Sequence, residues 1–423
     1  MRVAAYNDQD VPLGLYISVP FCRTKCSYCN FASDVFSKGA YENYVARVVE
    51  DIAASRATVS EVGGEFDEQV DSIYLGGGTP SILEGSQLRR IFAAARAEFE
   101  VSPEAEITVE CAPGTLTDLL IDTLLRAGVN RVSLGVQSFV DQEAQSVARA
   151  HKRSTVLEEI ARLRQSGLRN ISIDLIAGLP YQTEKTWSFS LDEVFALGVP
   201  HVSVYMLEVD EDSRLGRELM AGGARYHAHF VPDEAATADF YTRACETLDA
   251  GGVKQYEISN FARSRVEVPG NGSHNPSPGT WESRHNLKYW TRQPYLGFGV
   301  DAHSMMRALP KADGPRAIRF ATPDSLDAYM KRGSRTVTTV GRYAAIEESL
   351  FLGLRLNRGV EIDSLQAEFG SALDPYNLAI ESCVRDGLIA RRGGNIHLTA
   401  RGRLLSNEAF SRFLLGENAE SCL

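Results

Sequence analysis

The chain has 423 residues, 44% of them hydrophobic and 23% charged, and a formal net charge of −11. That length exceeds one ordinary core, so a soluble globular protein of two or three domains is expected. The acidic balance argues against a general nucleic-acid binder, which needs a basic surface, and no apolar run reaches the length of a membrane span.

The opening MRVAAYNDQDVPLG lacks the apolar centre of a signal peptide, and the closing ESCL puts its cysteine in the wrong place for prenylation, so a cytoplasmic location is expected. Seven cysteines are an odd count, and Cys111, Cys245, Cys383 and Cys422 are scattered, which does not suit a disulfide framework. The other three, Cys22, Cys26 and Cys29, stand as C-x3-C-x2-C in YISVPFCRTKCSYCNF. A zinc site or a fully ligated iron–sulfur cluster takes four protein ligands, yet the residue two past the last cysteine is Phe31. The trio needs a metal, a redox role or coincidence to explain it, and a zinc site completed by a remote side chain is the plain alternative.

From residue 15 to 207, short apolar runs rich in β-branched residues alternate with helical periods. The runs are LYISV (15–19), VDSIYL (70–75), AEITVE (105–110), NRVSLGV (130–136), NISIDLIAG (170–178) and HVSVYML (201–207). Segments such as SQLRRIFAAARAEF and TVLEEIARLRQSGL lie between them. This alternation means right-handed βαβ units and a parallel sheet, either a partial barrel or a doubly wound sheet; periodicity does not choose.

Parallel sheets carry their sites at the carboxyl ends of the strands. There the sequence places the cysteine loop, GGGTP (76–80), Glu110, Gln137 and Asp174. Each has a plain structural use: a tight turn, a helix cap, a satisfied buried acid. Together they suit a small zwitterionic ligand, with glycines admitting close backbone approach and carboxylates and an amide holding hydroxyls and an amino group.

Residues 208–335 are less regular. PDEAATADFYTRACETLDAGG reads as a helix and VEVPGNGSHNPSPGTWESR (266–284) as a long loop over a site. Residues 336–423 read as three helices and a hairpin at Gly393-Gly394, a winged-helix pattern. Nine arginines, no lysine and eleven acids there leave a net of −2, which favours a structural cap over DNA binding.

The cysteine motif followed by GGGTP resembles the radical S-adenosylmethionine superfamily. With YLGGGTPS, LGVQSF, SIDLIAGLP and HNLKYW, the chain is similar to the oxygen-independent coproporphyrinogen III oxidase branch, and within it to the HemW-type heme chaperones. The resemblance implies an α/β fold: a partial (β/α)6 TIM-like barrel over 1–210, a barrel extension over 211–335, and a winged-helix-like α+β domain over 336–423. It implies that Cys22, Cys26 and Cys29 hold three irons of a 4Fe–4S cube whose fourth iron takes the amino and carboxylate groups of S-adenosylmethionine. Tyr16, Tyr28, Gly78, Thr79, Pro80, Glu110, Gln137, Arg149 and Asp174 match positions that contact this cofactor. The H-N-x-x-Y-W motif, here His285, Asn286, Tyr289 and Trp290, is associated with heme. The implied partners are heme and apo-hemoprotein acceptors, membrane-bound ones among them. The oxidases carry a cysteine where Phe31 stands and a long N-terminal segment missing here, so coproporphyrinogen III oxidase activity is expected to be absent. Two positions depart from relatives: Ala112, usually Asn, and Asp301, usually Gly, where a buried acid would be costly unless paired. His274 and His303 compete with His285 as axial heme ligand.

Overall fold

The computed structural model describes residues 11–264, 280–310 and 314–415; His274 and most of the expected 266–284 loop lie outside them. Six strands, β1 (Leu13–Val19), β2 (Gln69–Gly77), β3 (Glu100–Cys111), β4 (Arg131–Gln137), β5 (Asn170–Ala177) and β6 (His201–Met206), pair in parallel, each with the next. Helices Lys38–Ala53, Gly85–Glu98, Asp118–Arg126, Arg153–Gln165 and Glu184–Leu197 lie between them in sequence. Spatial order follows chain order, so every right-handed crossover steps the same way and lays its helix on one side. A doubly wound sheet needs a reversal of strand order, and there is none among these six; the sheet is that of a partial barrel. β1, β4 and β5 have no exposed residue, as parallel strands covered on both faces should.

The sheet continues beyond residue 210, where the sequence pattern shows no strands. β7 (Val253–Gln255) and β8 (Asn260–Arg263) extend it antiparallel from β6. On the other side β9 (Tyr295–Phe298) joins β1 in parallel, and β10 (His303–Arg307), β11 (Ala317–Ala321) and β12 (Thr336–Val340) follow antiparallel. The C-terminal unit has helices Arg342–Arg355, Ile362–Phe369 and Asn377–Arg385, with β13 (Val360–Glu361) beside the hairpin β14 (Ile389–Arg392) and β15 (Asn395–Leu398). This is the expected winged-helix-like order, and Gly393 turns the hairpin at a left-handed φ of 62°. Its core of Ile346, Leu350, Leu354, Phe369 and Tyr376 is continuous with Tyr295, Met305 and Val340 of the sheet.

Helix Arg284–Trp290 carries the H-N-x-x-Y-W residues and is wedged between sheet and C-terminal unit. Ser283 Oγ caps it by accepting from the Asn286 N–H, and Glu106 of β3 accepts from the N–H of Arg284 at 2.9 Å, an anion at the positive end of the helix. Lys288, its side chain 1% exposed, pairs with Asp71 of β2 at 2.7 Å and donates to the Pro12 carbonyl at 2.6 Å. At the far end Glu348 of the C-terminal unit receives both Arg292 (3.1 Å) and Arg319 (2.8 Å). Removing one charge of a buried pair strands the other. Asp71→Asn is therefore expected to cost about 2–3 kcal/mol, somewhat under the fully buried case because Asp71 keeps some solvent contact. The measurement is a urea midpoint that falls while the denaturant slope is unchanged.

Candidate metal and cofactor site

The cysteine loop is rooted by backbone hydrogen bonds. Cys22 N–H donates to the Asp34 carbonyl and Asp34 N–H to the Pro20 carbonyl, both at 3.0 Å, closing the loop at its base. The glycine turn is zipped to the same base: Gly78 N–H donates to Val19 (2.9 Å) and Thr79 N–H to Phe21 (2.8 Å). A Cβ on Gly78 would lie 2.7 Å from the Val19 oxygen, Gly77 has a left-handed φ of 99°, and a Cβ on Gly76 would press on Tyr74 and Glu110. Each glycine of the run is thus required for a different reason. Thr79 Oγ1 reaches Cys22 Sγ at 3.8 Å, and Pro80 opens the short helix Pro80–Ile82.

All six described cysteines are free thiols. Burial raises the Cys29 thiol, with the neighbouring Cys26 and Cys22 adding to the effect, so the trio forms one electrostatic group. Among the described residues no three His, Cys, Asp or Glu side chains converge as on a single metal ion. Behind the loop, Arg149 Nη2 donates to the Tyr28 hydroxyl at 2.9 Å, and its buried Nε has no partner. Burial opposes the Arg149 charge, but Tyr28 and the Cys26 and Cys22 thiols outweigh it. A cation with an idle donor behind three thiols fits a thiolate-bound, electron-accepting cluster. Phe31 projects outward, 62% exposed, and supplies no fourth ligand.

On the barrel side, Glu110 accepts from the Tyr74 hydroxyl at 2.8 Å and from the Gly77 N–H at 3.2 Å. Burial pushes its pKa up to about 7, with the Asp174 carboxylate adding and the hydrogen bonds and Arg131 opposing. Asp174, also raised by burial, accepts from Ser133 at 3.2 Å on both oxygens. Gln137 ends β4 with φ at 67°, which folds its amide back beside Arg149: a Cβ on Gly135 would meet Gln137 Nε2 at 3.1 Å and Arg149 at 3.5 Å. Tyr16 is the register partner of Tyr74 and stacks on it at 6.2 Å. The thiols, the bare glycine turn, the carboxylates, Gln137 and Arg149 thus border one end of the barrel, an arrangement that fits a zwitterionic nucleoside cofactor beside a cluster.

Arg131 and Tyr74 were not legible from the sequence. Arg131 is fully buried; Glu106, Tyr74 and Asp174 are among the groups whose fields hold its charge against burial. Its one signal is an Arg heading the apolar run NRVSLGV. Asp301 corrects an expectation: it is exposed, not buried. It follows β9 with φ at 52°, a conformation that Asp tolerates better than most residues, and lies 3.6 Å from His303. Ala112 donates its N–H to Ser81 Oγ at 3.4 Å.

The heme-associated motif faces inward. His285 is 1% exposed; its Nδ1 meets Ser72 Oγ at 3.0 Å and its Nε2 the Tyr289 hydroxyl at 2.8 Å. Its ring stacks near Tyr74 (5.4 Å) and Tyr16 (6.4 Å), and burial with Lys288 drives its pKa down to about 3. Both ring nitrogens are engaged. Tyr289 packs edge-on against Tyr295, Arg355 of the C-terminal unit lies over the Trp290 ring at 4.2 Å, and Asn286 is half-buried.

A second group of aromatic and imidazole rings lies outside this set. After helix Arg214–Met220, the turn Arg225–Phe230 holds Tyr226 (φ 55°) and His227 (φ 61°) in left-handed conformations, and Tyr181 beside it has φ 66°. A bulky residue held so costs about 1–3 kcal/mol, and three of them gathered in one place call for explanation.

Residues 16–194 match the Radical SAM superfamily and residues 342–405 the HemN C-terminal domain. The heme chaperone HemW of Bacillus subtilis is 32% identical over 401 residues, covering 94% of this chain and 98% of that protein. The heme chaperone HemW of Lactococcus lactis is 29% identical over 411 residues, 96% of this chain and 98% of its own. Among solved structures, coproporphyrinogen III oxidase (HemN) from Escherichia coli, a radical SAM enzyme, overlays with a TM-score of 0.76 at 23% identity, over 95% of this chain and 90% of that one. That likeness establishes the fold.

The Glu110 shift has a measurable sign. Between the ordinary value of 4.5 and about 7 the folded chain holds a proton that the unfolded chain has released. Its contribution to stability is complete below the unfolded value and is lost as pH rises through about 7. Glu110→Gln should flatten that slope, so that urea midpoints measured at about pH 5 and about pH 8 differ less than in the parent chain.

Proposed function

The chain belongs to the HemW family of the radical S-adenosylmethionine superfamily, and on that premise we propose that it binds heme and delivers it to apo-hemoproteins. The observation that carries this reading is the end-to-end likeness to the Bacillus subtilis heme chaperone. Family membership implies a 4Fe–4S cluster and S-adenosylmethionine. Cys22, Cys26 and Cys29 would hold three irons. When bound, that cluster supplies one-electron chemistry and an open iron position.

The chain's own groups would then divide the work. Glu110, Asp174 and Gln137 would exchange hydrogen bonds with the polar parts of the cofactor; Gly78, Thr79 and Pro80 would line its methionine end; Tyr16 and Tyr28 would face it, with Arg149 fixing Tyr28. In its ionised form Glu110 accepts from a cationic amino group, so the cofactor favours the state above about pH 7. His285, Asn286, Tyr289 and Trp290 support heme binding from the barrel's floor and the junction with the C-terminal unit, since His285 has no free nitrogen in this conformation. Residues 1–210 form the cofactor unit on this reading, 211–335 the extension with the heme motif, and 336–423 the cap. No helix among the described residues is long and apolar enough to cross a membrane, and we place the protein in the cytoplasm, meeting membrane-bound acceptors from that side.

The test is anaerobic purification followed by heme titration. The parent chain should show the brown chromophore of an iron–sulfur cluster and, with heme added, a shifted Soret band; Cys26→Ser should lose the first. With coproporphyrinogen III, reductant and S-adenosylmethionine, no protoporphyrinogen IX should accumulate. Catalytic turnover to that product would replace the chaperone reading with the oxidase one.

A further inference from the structure

We propose that His227 is the axial ligand through which heme docks, on an aromatic platform beside the cysteine loop. This rests on the heme reading above and names the group that reading lacks, because His285 is sealed in the core with both nitrogens occupied.

Four observations converge. His227 is exposed, and its Nδ1 lies 2.8 Å from the Tyr181 hydroxyl. With the ring proton on Nδ1 and donated to the Tyr181 oxygen, Nε2 presents its lone pair outward, the orientation that a metal-binding imidazole takes from its outer partner. No hydrogen bond among the described residues engages Nε2. Flat apolar surface adjoins it: Phe230, 45% exposed, stacks on Tyr181 at 4.2 Å, and Tyr226 is 39% exposed. Such rings suit the porphyrin face.

The backbone is bent to make this arrangement. Tyr181, Tyr226 and His227 all occupy left-handed conformations that bulky residues rarely adopt; Tyr181 and His227 contact each other, and Tyr226 is the residue before His227. Arg217 and Arg225 are exposed on the same segment, where the Glu218 carboxylate accepts from the Arg225 N–H at 3.1 Å.

The platform is fastened to the metal loop. Leu215 N–H donates to the Ser27 carbonyl at 2.8 Å, Arg214 donates to the Lys25 carbonyl, and Arg214 also lies over the Tyr226 ring at 5.6 Å. Ala228 and Leu215 share a small core with Val147, Ile176 and Leu179, against which Tyr28 packs. Heme on His227 would therefore sit on a segment that the cysteine loop helps to hold.

The experiment is heme titration of the full chain, cluster loaded, followed by the Soret band and by paramagnetic resonance of the ferric iron. His227→Ala should weaken heme by at least the loss typical of an outer partner, about 10–100-fold, and shift the Soret band. Added imidazole should restore the parent spectrum. Tyr181→Phe should keep the spectrum but weaken heme about tenfold, because the ring loses its orienting partner. His229→Ala, which removes a ring packed on Phe230, should leave the Soret spectrum unchanged. An unchanged spectrum and affinity in His227→Ala, with the parent chain still binding heme, overturns the ligand assignment and leaves the chaperone reading standing. A parent chain that binds no heme overturns the chaperone reading itself.

Discussion

Two backbone hydrogen bonds, Gly78 to Val19 and Thr79 to Phe21, hold the glycine turn against the root of the cysteine loop. They join the ends of adjacent parallel strands, so they exist only because β1 and β2 are neighbours in register. The turn can approach that closely only without a side chain at 78. Three thiols on one side and an uncovered backbone on the other follow from this one contact. A singly wound strand order then brings Glu110, Gln137 and Asp174 to the same rim.

The interior behind the rim is an unusual place for charge. Glu106, Glu110 and Asp174 surround Arg131 with little water to screen them. The three acids are held differently. Glu106 faces a helix terminus, Asp174 takes hydroxyl donors, and Glu110 is left near neutrality in its preference for a proton. Burial raises both Glu110 and Asp174, and the Asp174 carboxylate reinforces the proton preference of Glu110 at this rim.

How much of this was legible in the sequence depends on the kind of contact. β1 to β6 were visible because strands buried on both faces must be apolar throughout. β7 to β12 were not: they are three to five residues long, and β12 exposes four of its five. The end-of-strand rule located Glu110 and Asp174, and the i, i+4 spacing put Tyr289 on the face of His285. The rule says nothing of partners, and those of His285 lie far off in sequence, Ser72 at 213 residues and Glu106 at 179. Asp301 stands where relatives usually have Gly and reads as a buried acid, whereas a left-handed turn places it outward. The strained rings around His227 carry no periodic pattern at all, and only their dihedral angles single them out.

The packing of His285 has a consequence for genetics. Its ring lies near Tyr16 and Tyr74, and Tyr74 in turn holds Glu110, while Tyr289 packs on Tyr295 of β9 and Trp290 on Arg355 of the C-terminal unit. A substitution at 285 therefore perturbs the surroundings of Glu110 and the junction with the C-terminal unit together. A null phenotype there is pleiotropic by construction. Second-site changes at Ser72 or Tyr74, which touch the same ring, should match it, whereas the exposed rings of His227 and His229 lie outside that set of contacts.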